Sequence, residues 1–174
     1  MKRHFNRFSD GVVELRLIEE RDLAATLSWR NRDDARIWFK TKDTIAADDH
    51  RAWFARYLGK EDDYHFIVEV DGRAVGQCAV YGTYGCGLGE IGRFLAAPGE
   101  SGNGYIRRSC ALLVKFSAEV LRLQYLYLEV YENNARAMRV YSACGFSEES
   151  RANGMVRMSL SLRADVRPLT HERV

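Results

Sequence analysis

The sequence predicts an α+β fold of α/β-sandwich type: a mixed, mostly antiparallel sheet with one parallel strand pair and helices on both faces. Three observations predict it. Short runs of alternating apolar and polar residues read as strands and outnumber the helical segments. Asp71-Gly72 and Asn153-Gly154 each join two such runs, and these dipeptides mark tight hairpins because both turn residues need positive φ. The succession of a strand at 90–96, a helix from 105 and a strand at 125–130 needs a crossover, hence a parallel pair.

The elements follow in order. Residues 12–18 alternate, with Val13, Leu15 and Leu17 on one face, and read as a half-buried strand. Leu23, Leu27 and Trp29 mark a short helix over 21–30. A second helix is opened by Asp48 and Asp49, which suit the positive end of its dipole, and it carries an apolar stripe of Trp53, Phe54, Tyr57 and Leu58. Residues 66–70 and 74–80 are the first hairpin, residues 81–89 a glycine-rich loop, and residues 90–96 the next strand. After residues 98–104 a long helix runs from 105 to about 121, with Ile106, Cys110, Leu113, Phe116 (or Ser117) and Val120 at helical spacing. Residues 125–130 (YLYLEV) read as a strand buried on both faces. Residues 135–144 form a helix with Ala137, Val140, Tyr141 and Cys144 on one side, ended by Gly145 in the left-handed region. Residues 146–150 and 155–162 close the chain as a hairpin. Residues 163–174 lack periodicity and read as a loose tail, so 1–174 is expected to be one domain with its core at about 12–162.

The composition excludes several classes. A chain of 174 residues with 47% hydrophobic and 29% charged residues belongs with folded domains, not disordered segments. Its 26 basic and 24 acidic residues leave a net charge of +2, which provides no field for nucleic acid. Cys78, Cys86, Cys110 and Cys144 lack CxxC spacing and paired histidines, so no metal is expected and they read as small core residues. No apolar run follows residues 1–7, and none approaches the roughly 18 residues of a membrane span. A cytoplasmic protein without a membrane partner is expected.

Two motifs carry chemistry. The first, Pro98-Gly99-Glu100-Ser101-Gly102-Asn103-Gly104, lies between a strand and a helix. Its glycines let backbone approach a ligand, and the helix N-terminus behind it presents unpaired N–H groups, a combination suited to a diphosphate. The alternative is a plain glycine turn. Neither a Walker loop nor a GxGxxG fingerprint is present. In the second motif Asn134, Ala137, Tyr141, Gly145 and Phe146 fill the pattern N-x-x-A-x-x-x-Y-x-x-x-G-F. This pattern resembles motif B of the GNAT superfamily of N-acetyltransferases, and the glycine loop then stands where motif A, Q/R-x-x-G-x-G/A, belongs. Gly102 and Gly104 match that motif, whereas Gly99 stands where many members carry Gln or Arg.

The resemblance implies an acyltransferase using acetyl-CoA, with a GNAT fold in which the parallel pair is splayed. Pantetheine would lie in the gap along Phe94, Leu95 and Ala96. The N–H groups of Ser101, Gly102, Asn103, Gly104 and Tyr105 would hold the pyrophosphate, and Asn134 would bond the pantetheine arm. Tyr141 would sit near the sulfur and protonate the departing thiolate after a neutral amine attacks the thioester. The alternative for Tyr141 is an aromatic packed in the core. Glu90 and Glu129, on the flanking strands, are candidates for the base, acting directly or through water, and each is alternatively a solvent-facing strand residue. His65, at the start of a strand, reads as structural.

For the acceptor, Trp29-Arg30-Asn31, Phe39-Lys40-Thr41 and His50-Arg51-Ala52-Trp53 resemble the branch that acetylates amino sugars on nucleotides, as in the pseudaminic acid pathway. That resemblance implies Arg30, Lys42 and His50 against the diphosphate and hydroxyls of a sugar nucleotide. The alternative puts Trp29 and Trp53 in the core and Arg30 in solvent. The chain also resembles enzymes that acetylate the N-terminal amines of ribosomal proteins, which need a peptide-wide groove. A reading of another class is a non-catalytic acyl-CoA-binding protein, against which the presence of Tyr141 stands. The exposed sheet edges leave room for a homodimer.

Overall fold

The computed structural model describes residues 7–83, 85 and 87–162. Cys86, residues 1–6 and the expected tail at 163–174 lie outside the described residues. Strands β1 (Phe8–Ser9) and β2 (Glu14–Leu17) lead through a 3-10 turn, Glu20–Asp22, into α1 (Leu23–Asn31), α2 (Asp33–Arg36) and α3 (Ala47–Leu58). Then come β3 (Asp63–Val70), β4 (Arg73–Tyr81), β5 (Leu88–Ala96), α4 (Tyr105–Glu119), β6 (Tyr125–Tyr131), α5 (Ala135–Ala143), β7 (Ser147–Ala152) and β8 (Met155–Ser161). Among the described residues these strands form one sheet in the order β1-β2-β3-β4-β5-β6-β8-β7, and β5 with β6 is its parallel pair.

Local chemistry explains the turns. Asp71 (φ 49°) and Gly72 (φ 74°) both adopt positive φ between β3 and β4, as do Asn153 (φ 53°) and Gly154 (φ 75°) between β7 and β8. Short polar side chains and glycine tolerate that region best, which fixes both hairpins at these dipeptides. Asn134 caps α5 by accepting the Ala137 N–H at 3.1 Å.

Helices cover the sheet on both faces. Beneath α4, Leu113 and Phe116 pack on Leu15, Phe66, Val75, Ile91, Leu126 and Val156. Phe116 is the hub, meeting Phe66 edge-on at 5.0 Å between centroids and Phe8 at 5.5 Å. On the opposite face Ile18, Leu23, Phe54, Tyr57 and Ile67 join α1 and α3 to the sheet, and Trp29 with Ala35, Leu95 and Ala97 forms a smaller cluster beside them.

Three expectations need correction. The strand at 12–18 is not half-buried, because the helical layer also covers Arg16. Its guanidinium donates to Asp22 at 2.7 and 2.8 Å and to Glu69 at 2.7 Å, tying β2, β3 and the entry to α1 together. Leu58 leaves the apolar stripe of α3 and is 56% exposed, since it follows the buried Tyr57 by one residue and turns off that face. β6 is buried on one face only: Leu126, Leu128 and Val130 are in the core, whereas Tyr125, Tyr127 and Tyr131 are half-buried and Glu129 is exposed. Substituting Phe116→Ala is expected to cost about 3–5 kcal/mol in denaturant unfolding, the range for an aromatic core deletion.

Candidate active site

The parallel pair is short. β5 and β6 pair only at Leu88↔Tyr125, Gly89↔Leu126 and Glu90↔Tyr127, then run on to Ala96 and Tyr131 unpaired with each other. On its other side β5 carries a bulge against β4. Gln77 pairs with Leu95 but Ala79 pairs with Gly92, which leaves an extra residue on β5. Arg93 sits in it at φ 55°. Where the strands part, a cleft of about 660 Å³ opens, walled by β5 from Glu90 to Ala96, the end of β6, α5 and the segment around α2.

One end of the cleft is built by the glycine loop. Pro98 and Gly99 form a turn closed by the Glu100 N–H to the Ala97 carbonyl at 3.0 Å, with Gly99 at φ 78°. A long side chain at 99 would strain that turn, which accounts for the missing Gln or Arg. Gly102 (φ 96°) and Gly104 (φ 79°) also occupy the left-handed region, and Gly104 delivers the chain into α4. The first N–H groups of α4 have no partner within the helix, and no acidic residue lies in its first turn. They face a recess of about 150 Å³ lined by Ser101, Gly102, Gly104, Tyr105, Arg107 and Arg136. Neither arginine is in an ion pair among the described residues. Glu100 also lines the recess, but its carboxylate is engaged by Arg73 and by Asn103 Nδ2, the latter at 3.1 Å. Asn103 does not line the recess. These donors and cations suit the diphosphate of a CoA ester.

The expected polar side chains of the reaction centre meet on the cleft. Asn134, with its Oδ1 occupied by the cap, lines it. So does Tyr141, whose ring lies 5.7 Å from that of Phe94 and 6.4 Å from that of Phe146. Burial, with Cys110 and Cys144 near, pushes the Tyr141 hydroxyl above its ordinary value, so it is a donor at neutral pH. Glu90 stands at the last paired position and accepts from Tyr81 Oη at 2.9 Å and Tyr127 Oη at 3.1 Å. Glu129 is paired with Lys40 Nζ at 2.6 Å.

The three expected acceptor contacts separate. Arg30 lines the cleft and is 9% exposed. One of its nitrogens donates to the Thr41 carbonyl, the guanidinium lies 4.0 Å over the Phe39 ring, and Nη1 is buried without a partner. Lys42 is absent from the lining and lies 5.5 Å from the Tyr131 ring. His50 is also absent: it faces α1 from α3, with Nε2 3.1 Å from Thr26 Oγ1 and its ring stacked on Trp53. The Trp-Arg-Asn run acts as a fastening. Trp29 is in the core, Arg30 holds Thr41, and Asn31 brackets Ile45 through its N–H (2.8 Å) and carbonyl (2.9 Å).

Sequence reasoning missed Tyr81, Arg93, Tyr127, Arg136 and Trp38, all on or beside the cleft. A signal existed for Tyr127, which shares a strand face with Glu129, and for Arg136, inside the second motif. None existed for Tyr81 or Arg93, whose placement depends on the bulge.

A splayed parallel pair, a glycine loop at a helix N-terminus and a half-buried tyrosine on the cleft define an acyl-CoA-using transferase. The model of the Acetyltransferase (GNAT) domain matches residues 13–147, and the chain belongs to this family of acetyl-CoA-dependent N-acetyltransferases. Among similar proteins, spermidine N(1)-acetyltransferase of Escherichia coli K12 is 26% identical over 138 residues, covering 79% of this chain and 74% of that one. Aminoglycoside N(6')-acetyltransferase type 1 of Klebsiella pneumoniae is 26% identical over 157 residues, covering 81% and 77%. A Vibrio cholerae spermidine N-acetyltransferase, solved with CoA and spermine, shares the fold with a TM-score of 0.80 at 22% identity, over 88% of this chain and 97% of that one.

His50 yields a check on its placement. Burial pulls its pKa below the ordinary 6.5, so as pH drops below that value the unfolded chain takes up a proton that the folded chain refuses. Stability that His50 contributes above pH 6.5 is therefore lost on acidification. His50→Gln is expected to flatten this pH dependence of the unfolding midpoint while changing kcat by less than about twofold.

Proposed function

We propose that the chain acetylates the primary amine of an amino sugar carried on a nucleotide, by direct attack of the amine on the acetyl-CoA thioester. In this reading the CoA pyrophosphate lies on the N–H groups of Ser101 to Tyr105, with Arg107 and Arg136 as counter-charges. The pantetheine arm follows Phe94 to Ala96, where β5 has no β6 partner, and Asn134 donates to it through Nδ2. Glu90, at the apex of the cleft, takes the proton of the incoming ammonium, directly or through a water. The freed amine attacks the carbonyl carbon, the C–S bond breaks as Tyr141 gives its proton to the thiolate, and the proton shed by the new amide nitrogen restores the tyrosine, directly or through water. Glu129, held by Lys40, is the less available base.

The acceptor class rests on the charge of the outer wall. Arg30 is a buried cation with no carboxylate partner among the described residues, and burial together with Arg36 pulls its pKa down. The wall's acids are already answered, Asp34 by Arg32 and Glu129 by Lys40. Trp38, 41% exposed, offers a ring face beside them. A sugar nucleotide brings phosphate to the cations and a planar base to the indole, whereas a polyamine brings only like charge. The matches to spermidine and aminoglycoside acetyltransferases favour a second reading, a polycationic amine received by Glu90 and Glu129.

Thiol release from acetyl-CoA, measured against UDP-linked 4-amino sugars, spermidine, an aminoglycoside and ribosomal N-terminal peptides, separates these. The expected result is turnover on the sugar nucleotide, with Tyr141→Phe lowering kcat at least tenfold, about 1.4 kcal/mol of barrier. Arg30→Met is expected to raise KM for the sugar nucleotide about tenfold without altering acetyl-CoA affinity. Turnover on spermidine or the aminoglycoside alone would overturn the sugar assignment.

A further inference from the structure

Arg93 is a non-glycine residue at φ 55° inside a strand, a backbone state that persists only where surrounding contacts hold it. Two contacts do so. Its guanidinium donates to both oxygens of Asp63, at 2.7 and 3.0 Å, and that carboxylate side chain is 3% exposed. The same guanidinium lies 4.4 Å from the centroid of the Tyr81 ring, with Trp53 at 5.9 Å. A planar cation gripped by a buried carboxylate forms a rigid shelf, and a ring stacked on it loses rotational freedom.

Tyr81 uses that orientation. Its hydroxyl donates to Glu90 Oε1 at 2.9 Å, while Tyr127, from the other flanking strand, donates to Oε2 at 3.1 Å. Each oxygen keeps a further lone pair for an incoming ammonium. Room for the phenol is made by Gly92: a Cβ there would lie 2.7 Å from the Tyr81 hydroxyl oxygen. Gly92 is not in the left-handed region, and only Tyr81 atoms would crowd a methyl group at this position, so alanine would displace the phenol and leave the backbone in place.

We infer that Arg93, anchored by Asp63, is a positioning residue that holds Tyr81 on Glu90 and so sets the orientation of the carboxylate at the cleft apex. This rests on Glu90 being the proton acceptor of the proposed reaction. Tyr81 from β4, Tyr127 from β6 and Lys40 from the segment after α2 act on Glu90 directly, while Arg93 and Asp63 act on Tyr81, and Glu129 and Arg157, the latter stacked 3.9 Å over the ring, act on Tyr127. Gly92→Ala alters none of these charges. It removes one of the two tyrosine hydrogen bonds that stabilise the ionised carboxylate.

The test compares Gly92→Ala, Tyr81→Phe, Arg93→Met and the double variant Tyr81→Phe with Arg93→Met, each confirmed folded by its thermal transition. Gly92→Ala and Tyr81→Phe are expected to lower kcat about tenfold or more and to move the acidic limb of the kcat/KM profile to higher pH, with acetyl-CoA affinity within about twofold. Arg93→Met is expected to do the same, and to add little once Tyr81 is Phe, because the two act along one path. Wild-type kcat and an unmoved acidic limb in Gly92→Ala would overturn the inference, as would full additivity in the double variant. Should Arg93→Met fail to fold, Gly92→Ala against Tyr81→Phe decides alone. Glu90→Gln separates the premise: if it keeps wild-type kcat, the base assignment falls and this inference with it, whereas a large loss there beside an unaffected Gly92→Ala overturns the inference only.

Discussion

The pairing of β5 with β6 stops at Glu90↔Tyr127, and the site takes its shape from that stop. Backbone N–H and C=O groups normally find partners in a sheet, and past Ile91 those of β5 that point toward β6 do not find them there. An extended, amide-bearing arm can supply them in the manner of an added strand. The separation is built in. β4 holds β5 from one side and β8 pairs with β6 along its whole length from Tyr125 to Tyr131, so the two strands are held apart by the rest of the sheet. The bulge at Arg93 gives β5 the local change of direction that such a parting requires.

Several strained or incompletely satisfied groups collect around this opening. Arg93 at positive φ and the orphaned Nη1 of Arg30 border it, and Gly102 and Gly104 in the left-handed region line the adjoining loop recess with Arg107 and Arg136. The buried Arg16, Asp22 and Glu69, by contrast, answer one another's charges in a closed network. A fold that places its unmet hydrogen-bond donors and cations along one cleft is prepared for a ligand rich in phosphates and amides.

Much of this was legible in the residue pattern, for reasons that differ by element. Asp71-Gly72 and Asn153-Gly154 specify their turns through local backbone preference, so both hairpins were readable. The glycine loop and the run from Asn134 to Phe146 were readable because ligand approach and helix capping need those residue types at those spacings. Long-range geometry was not. The bulge at Arg93, the burial of Arg16 and the partnership of Tyr81 and Tyr127 with Glu90 each depend on which strand lies beside which. The positions of Lys42 and His50 away from the cleft lining were illegible for the same reason. Both stand in or beside the runs that resemble the sugar-nucleotide branch, but α3 turns His50 onto Thr26 and Trp53, and Lys42 falls beyond the cleft beside Tyr131. YLYLEV shows the limit of a short apolar run, because its tyrosines serve the cleft face and only its leucines and valine serve the core.

The roles assigned to the glycine loop, Tyr141 and Glu90 all depend on where CoA lies, and a crystal structure of the complex with CoA tests them most directly. The predicted result has the pyrophosphate on the N–H groups of Ser101 to Tyr105, the pantetheine arm paired with β5 between Phe94 and Ala96, and the sulfur within hydrogen-bond reach of the Tyr141 hydroxyl. CoA bound away from the opening between β5 and β6, or with its sulfur remote from both Tyr141 and Glu90, would contradict it.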